Sequence, residues 1–242
     1  MLKGRVSYRI PEAWVEFEAI AFPFPGSIGL SVMVSAPAVT NPDDASLQLD
    51  VEIAGEFSRE RALSEANAVA TAVADRLAYQ WGRYLPTPTL TDIAFDEGGV
   101  QSLGSSLGMF CRAAAVNALG SECVGNLRIE LARSDFPGEP HLATFRAALG
   151  CSDPIGRFLC LYGILMTIAG DDQRAIDTII ERHEPGQIRT PRPDKPNVQE
   201  TSYTRLRNEV AHRMKSRTIG EIRAEMEQRC PNLIGIVRSA IA

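Results

Sequence analysis

The stretch NVQETSYTRLRNEVAHRM, Asn197 to Met214, is the main basis for interpreting the fold and function of the C-terminal half of this chain. At about 100° per residue, its apolar side chains fall on one stripe, as expected of an amphipathic helix. Asn197 followed three residues later by Glu200 fits a capping box, which predicts that the helix begins at Asn197. The stripe must pack on other helices; it consists of Tyr203, Leu206, Val210 and Met214.

The same helix has two polar rows. Arg205, Glu209 and Arg213 lie four residues apart, can pair with each other, and are predicted to form a solvated face. The other row also repeats every four residues and contains the candidate functional side chains, with Arg207 beside it. It comprises Glu200, Thr204, Asn208 and His212.

Arg207 and His212 are five residues apart and diverge by about 140° around a helix. They can converge only on a molecule lying across the groove, or by meeting the same pair from a second subunit, which predicts a two-fold homodimer. A guanidinium suits phosphate, an imidazole exchanges protons near neutral pH, and Asn208 can orient either group.

The combination suits attack of a ribose 2′-OH on the adjacent phosphodiester, a route that needs no metal or cofactor. The alternative is structural: Arg207 pairs with a nearby carboxylate, and His212 is satisfied in a seam between helices.

RNEVAH, Arg207 to His212, resembles the signature helix of HEPN domains, with an Arg, a polar residue directly after it, and a His further on. Two segments are also similar to the methylamine utilization protein MauJ family: DPIGRFLCLYGILM, Asp153 to Met166, and ETSYTRLRNEVAH, Glu200 to His212. The HEPN resemblance covers roughly the last hundred residues.

The resemblance implies a metal-independent endoribonuclease that acts on RNA as a dimer. His212 would be the general acid and base, Arg207 the phosphate binder, and Asn208 the orienting residue. The alternative that it implies is a non-catalytic dimerisation or ligand-binding accessory protein linked to methylamine utilization.

The charge of the chain is uneven. Its net charge of −5 argues against a general nucleic-acid binder, and no DNA partner is expected. Residues 1–137 hold 10 Lys and Arg against 17 Asp and Glu (−7), residues 138–242 hold 15 against 13 (+2), and residues 184–217 hold 8 against 4 (+4). The basic excess therefore centres on the candidate site, as phosphate binding requires. The predicted substrate-binding residues are Arg189, Arg192, Lys195 and Thr204, although the loop from Glu184 to Gln199 also reads as a plain linker.

Cysteine use and apolar runs predict a cytoplasmic protein with no membrane partner. None of the five cysteines has metal-ligand spacing, so free thiols in a reducing compartment are expected. The first ten residues lack the apolar core of a secretory signal. The longest apolar run, Phe158 to Ala169, is about half a membrane span.

The predicted fold class is α+β, with a β-rich domain over residues 1–137 that contains an antiparallel sheet and a long helix. Strands are expected at Trp14–Phe22, Ile28–Ser35 and Ser46–Ile53, followed by a helix from Ser58 to about Tyr84. Residues 90–136 are harder to interpret. Leu127–Ala132 alternates like a strand, Met109–Ala118 fits strand or helix, and the Gly-rich Gly98–Gly108 lacks the ending of a nucleotide loop and is expected to be a turn.

Residues 138–242 are predicted to form a HEPN-like antiparallel helical bundle. Asp153 caps and Pro154 opens its buried central helix, and Thr218 with Glu221 makes a capping box. His141 and His183 are expected to be structural or on the surface. The other expected helices are Leu142–Leu149, one beginning at Asp171 and ending before Pro185, and a last one opened by Pro231.

Overall fold

The computed structural model describes residues 2–11, 13, 15–26, 29–39, 44–96, 117–134, 139–192, 195–211 and 217–242. Two compact units are distinguished: Met1–Gln80 with Leu85–Phe136, and Trp81–Tyr84 with Pro137–Ala242. The fold is mixed α+β, as predicted, with a five-stranded antiparallel sheet and seven helices among these residues. No helix in the described ranges is long and apolar enough to cross a bilayer.

The first unit is built around the sheet, whose strand order is β5-β1-β4-β3-β2, with the two-residue β6 added parallel to β2. Val6, Val51 and Val32 are aligned across three adjacent strands and are all buried. Side chains of a strand alternate between faces, so this register places one continuous apolar face in the core. The strands are β1 (Leu2–Pro11), β2 (Val15–Pro23), β3 (Leu30–Ala36), β4 (Ser46–Gly55), β5 (Thr89–Phe95) and β6 (Asn117–Ala118).

Two helices accompany the sheet: α1 (Arg59–Trp81) and α2 (Ser121–Ala132). The Tyr8 hydroxyl of β1 donates to Asn67 of α1 at 2.7 Å. The buried guanidinium of Arg76 donates from Nη1 to the carbonyl oxygens of Leu131 and Arg133, which joins α1 to the end of α2. The predicted long helix is confirmed.

The prediction of a strand at Leu127–Ala132 is wrong, because these residues belong to α2. Leu127 and Leu131, four residues apart, are buried, whereas Ile129 between them is 64% exposed. Burial therefore follows the helical period, and the apparent alternation was accidental. Gly98–Gly108 and residues 109–116 lie outside the described residues, and 117–118 form β6.

The second unit contains five helices and a β-hairpin. Its elements are α3 (Glu139–Gly150), α4 (Pro154–Ile168), α5 (Gln173–His183), β7 (Thr190–Arg192), β8 (Lys195–Glu200), α6 (Ser202–Ala211) and α7 (Ile219–Ile241). The buried α4 packs on α7 and α3. On α4, the Phe158 ring is stacked with Tyr162 and, across to α6, with Tyr203, at centroid distances of 6.3 and 6.2 Å.

Two predicted helix starts in this unit are confirmed. The Asp153 carboxylate accepts the Gly156 N–H at 2.9 Å, with Pro154 in the first turn of α4. Thr218 and Glu221 form the reciprocal capping box of α7.

Three other predicted boundaries are wrong. The signature helix begins at Ser202 and not at Asn197, because the segment Lys195–Glu200 is extended and pairs with β7. The helix after α4 is capped by Asp172, one residue later than expected. Pro231 lies inside α7 and does not open a new helix, since the buried stripe continues past it through Leu233 and Val237.

Candidate functional site

The candidate site lies on α6, a ten-residue helix that carries Arg207 and Asn208. Its first turn is capped by Thr201, whose hydroxyl accepts the Thr204 N–H at 3.3 Å. His212 lies outside the described residues, so the structure places Arg207 and Asn208 but not the predicted general acid and base.

Arg207 is held by a short chain of polar side chains. Its Nη1 donates to Asn208 Oδ1 at 3.1 Å, and Asn208 Nδ2 donates to Glu200 Oε2 at 2.8 Å. Glu200 is 0% exposed and Asn208 is 3% exposed, while Arg207 is partly exposed. A buried carboxylate therefore fixes the amide, and the amide fixes the guanidinium at the edge of the protein.

A second buried network lies beside this chain. Asp177 Oδ1 accepts from the hydroxyls of Thr201 at 2.8 Å and Thr204 at 2.6 Å. The Thr204 hydroxyl is also 2.9 Å from the Tyr162 hydroxyl. These contacts join α5, α6 and α4, so the first turn of α6 is anchored to two neighbouring helices.

The pKa of Tyr162 is affected by residues of both networks. Burial raises its pKa to about 12, and the charges of Asp177 and Glu200 act in the same direction. The Thr204 hydrogen bond and the charge of Arg207 oppose that increase. The phenol therefore remains protonated at neutral pH and can serve as a fixed hydrogen-bond donor.

Three of these residues were not singled out from the sequence: Asp177, Thr201 and Tyr162. One available signal was Asp177 itself, a carboxylate between Ile176 and Ile180 on the apolar side of α5. A buried carboxylate requires donors, so this position alone indicates a polar network inside the unit.

The four predicted substrate-binding residues are not gathered into one surface. Arg189 is bound to Glu181 through two hydrogen bonds of 2.5 and 2.9 Å, and this pairing lowers the pKa of Glu181. Lys195 is exposed and Arg192 partly exposed, both in the hairpin. Thr204 is buried, and its hydroxyl faces the interior network, so it does not present a binding group to the outside.

Two members of the row predicted as a solvated face, Arg205 and Glu209, belong to a closed ring of ion pairs, and the third, Arg213, lies outside the described residues. Arg205 binds Glu209 at 3.0 Å and Glu225 at 2.6 Å, while Arg217 binds the same two carboxylates at 3.1 and 2.7 Å. Glu209 is only 5% exposed. The expected pairing of Arg205 with Glu209 is confirmed. The prediction that Glu209 is solvated is wrong, because α7 packs on α6 and Arg217 also binds Glu209, contacts that the spacing on one helix cannot show.

The described residues contain no group of three or more His, Cys, Asp or Glu side chains placed to hold a metal ion. Comparisons with protein-family models, with curated proteins and with solved structures found no match to this chain.

Proposed function

We propose that the protein is a metal-independent endoribonuclease that cleaves single-stranded RNA as a homodimer, with Arg207 as the phosphate-binding residue. The observation that supports the proposal is the series of hydrogen bonds from the buried Glu200 through Asn208 to the partly exposed Arg207. Fixing a guanidinium from within lowers the cost of ordering it around a phosphate, which is what transition-state binding requires. Residues 184–217 also carry a basic excess, which favours an anionic substrate on this part of the chain.

In the proposed reaction the ribose 2′ oxygen attacks the adjacent phosphorus. The O2′–P bond forms as the P–O5′ bond breaks, which leaves a 2′,3′-cyclic phosphate and a 5′-hydroxyl. His212 takes the 2′-OH proton, and a second His212 from the other subunit gives a proton to the leaving 5′ oxygen. Arg207 stabilises the negative charge that develops on the phosphoryl oxygens.

The proposal includes the HEPN-like, MauJ-like relationship of the C-terminal unit, with its helices as an antiparallel bundle. The two copies of the site would face each other across the dimer axis, since a spacing of five residues would separate Arg207 and His212 by about 140° on a helix. A reducing cytoplasmic location fits the free thiols of Cys123, Cys151, Cys160 and Cys230.

The test is cleavage of single-stranded RNA in EDTA, with the product ends analysed for 2′,3′-cyclic phosphate. We expect cleavage by the wild-type chain and a loss of roughly 10²-fold or more in His212→Ala. Circular dichroism checks that the variant is folded. Unchanged cleavage in His212→Ala would exclude the assigned general acid and base.

A second candidate function is a non-catalytic dimerisation or ligand-binding accessory protein, linked to methylamine utilization by the MauJ resemblance. It is favoured by the position of Arg207 Nη2, 3.9 Å from the sulfur of Met166, a partly exposed residue of α4. In this role Arg207 and His212 would stabilise the dimer interface. If His212→Ala dissociates the dimer, and RNA is neither bound nor cut by the wild-type protein, this function replaces the first.

A further inference from the structure

A cleft of about 660 Å³ opens on the second unit, away from Arg207. It lies between the turn after α5, the start of α6 and the middle of α7. On α6 it is lined by Ser202 and Arg205, and Arg205 is roughly 160° around the helix from Arg207. The volume is in the range of small-molecule sites. The two sites therefore use different faces of α6.

The carboxylates of this cleft already have hydrogen-bond donors. Glu225 binds Arg205 through one oxygen and Arg217 through the other. Glu184 accepts from the Tyr203 hydroxyl at 2.8 Å, from Asn232 at 2.6 Å and from Gln187. Since both carboxylates are engaged within the protein, neither is set up to receive a cationic ligand.

The pKa of Glu184 agrees with this arrangement. Burial on its own would raise the pKa, but the hydrogen bonds from Tyr203, Gln187 and Asn232 and the charge of Arg229 together lower it. Glu184 is thus ionised, and its hydrogen bonds hold the turn after α5 against α6 and α7.

Arg229 is the proposed anion-binding cation of the cleft. Its guanidinium lies 5.6 Å from the centroid of the Tyr203 ring. Among the described residues it forms no ion pair within 4.0 Å, in contrast to Arg205, although its charge acts on Glu184 and it hydrogen-bonds the Tyr203 side chain. A guanidinium has five N–H donors, so one that lies over an aromatic ring and bonds its hydroxyl still has donors for a carboxylate or a phosphate.

Part of the cleft lining is apolar. Pro185, Ile188 and Pro191 line it, and Ile188 is 80% exposed. Ile188 therefore offers an apolar surface that the body of a bound molecule could cover.

We propose that this cleft binds a small organic anion, with its carboxylate or phosphate on Arg229 and its apolar or ring-bearing body against Ile188. The shared chemistry is an acceptor group on an apolar body, which a nucleoside monophosphate and an aromatic carboxylate both offer. The site is independent of the proposed ribonuclease activity.

Isothermal titration calorimetry on the full chain tests the site, with AMP, benzoate and inorganic phosphate as probes. We expect AMP or benzoate to bind, and Arg229→Gln to weaken that binding at least tenfold. The matched control Arg174→Gln, on the exposed start of α5, should leave it unchanged. Ile188→Ser, a change at an exposed side chain, should also weaken the binding of that organic probe. Inorganic phosphate should bind less tightly than the organic probe.

The proposal is overturned if neither organic probe binds, if Arg229→Gln and Ile188→Ser bind as the wild type does, or if inorganic phosphate binds as tightly as the organic probe that binds. The Arg207→Ala variant separates this site from the proposed active site: it should retain organic-anion binding whether or not the protein cleaves RNA.

Discussion

Asn208 is the residue on which the geometry of the candidate site depends. It receives a hydrogen bond from Arg207 and gives one to Glu200, and it is almost completely buried. An amide can do both at once because it has an acceptor oxygen and a donor nitrogen. Asp at this position would supply only acceptors, beside a buried carboxylate.

Asn208→Ala should lower the free energy of unfolding by about 1–3 kcal/mol, because it leaves the buried Glu200 carboxylate without this donor. Asn208→Asp should cost more at pH 7, since two carboxylates then face each other, and the difference between the variants should shrink as the pH falls. Urea denaturation at pH 7 and pH 5 measures both effects. Equal stability of the wild type and Asn208→Ala would show that the Glu200–Asn208 bond does not hold the site.

Tyr162 makes stability depend on pH in alkali. Burial raises its pKa from 10.0 to about 12, so the folded protein resists the ionisation that the unfolded chain undergoes. The corresponding stability is fully present below pH 10 and is lost as the pH rises towards 12.

Between pH 8 and pH 11, the wild type should therefore lose about 1 kcal/mol more unfolding free energy than Tyr162→Phe. Tyr8→Phe is a useful comparison, because burial also raises the pKa of Tyr8 to about 12 in the other unit. Identical pH dependence in the wild type and Tyr162→Phe would contradict the assigned environment of Tyr162.

At the scale of elements, the start of α6 shows where local sequence patterns fail. Asn197 with Glu200 has the spacing of a capping box, yet both residues are in β8. The cap is Thr201, whose hydroxyl also binds Asp177 of α5. Because Asp177 precedes Thr201 by 24 residues, this hydrogen bond cannot be predicted from the sequence around the helix start.

Thr201→Ala should cost about 1–3 kcal/mol of stability, since it removes the cap and a buried donor to Asp177. Asn197→Ala should change stability by less than about 0.5 kcal/mol, because Asn197 is exposed in the hairpin. Chemical denaturation of the two variants distinguishes the helix starts. A larger loss in Asn197→Ala than in Thr201→Ala would support the start predicted from the sequence.

The ion-pair ring joins α6 to α7 and should matter more than an isolated surface pair. Glu209→Gln removes a nearly buried carboxylate that two guanidinium groups share, so we expect a loss of about 2 kcal/mol. Glu65→Gln is the matched control, because its pair with Arg61 is exposed and should contribute less than about 0.5 kcal/mol. Urea denaturation at low and high salt measures both, and equal small losses would mean that the ring does not stabilise the protein.

For the whole molecule, the elements that local periodicity encodes were predictable. The alternation in β2, β3 and β4 and the helical stripe of α1 indicated the sheet and its long helix. β1 has the same alternation at Val6, Tyr8 and Ile10, and could have been predicted from it. An antiparallel sheet was expected, but the order of its strands could not be predicted from these patterns, since pairing such as that of β1 with β4 joins residues far apart in the chain.

The candidate site was predictable only in part. Arg207 and Asn208 were found because they share one helix, and a single helix has a regular spacing. Tyr162 and Asp177 reach Thr204 across separations of 42 and 27 residues, so only the fold brings them together. The second unit also holds the basic excess, whereas the residues that precede it are strongly acidic. Any RNA should therefore bind on the second unit.

The most direct test of the account is the rate of single-stranded RNA cleavage in EDTA by the wild type, Arg207→Ala and the control Arg174→Ala. We predict cleavage by the wild type and by the control, and a loss of roughly 10²-fold or more in Arg207→Ala. If the wild type does not cleave RNA, or if Arg207→Ala cleaves it at the wild-type rate, the proposal that Arg207 binds the reacting phosphate is contradicted.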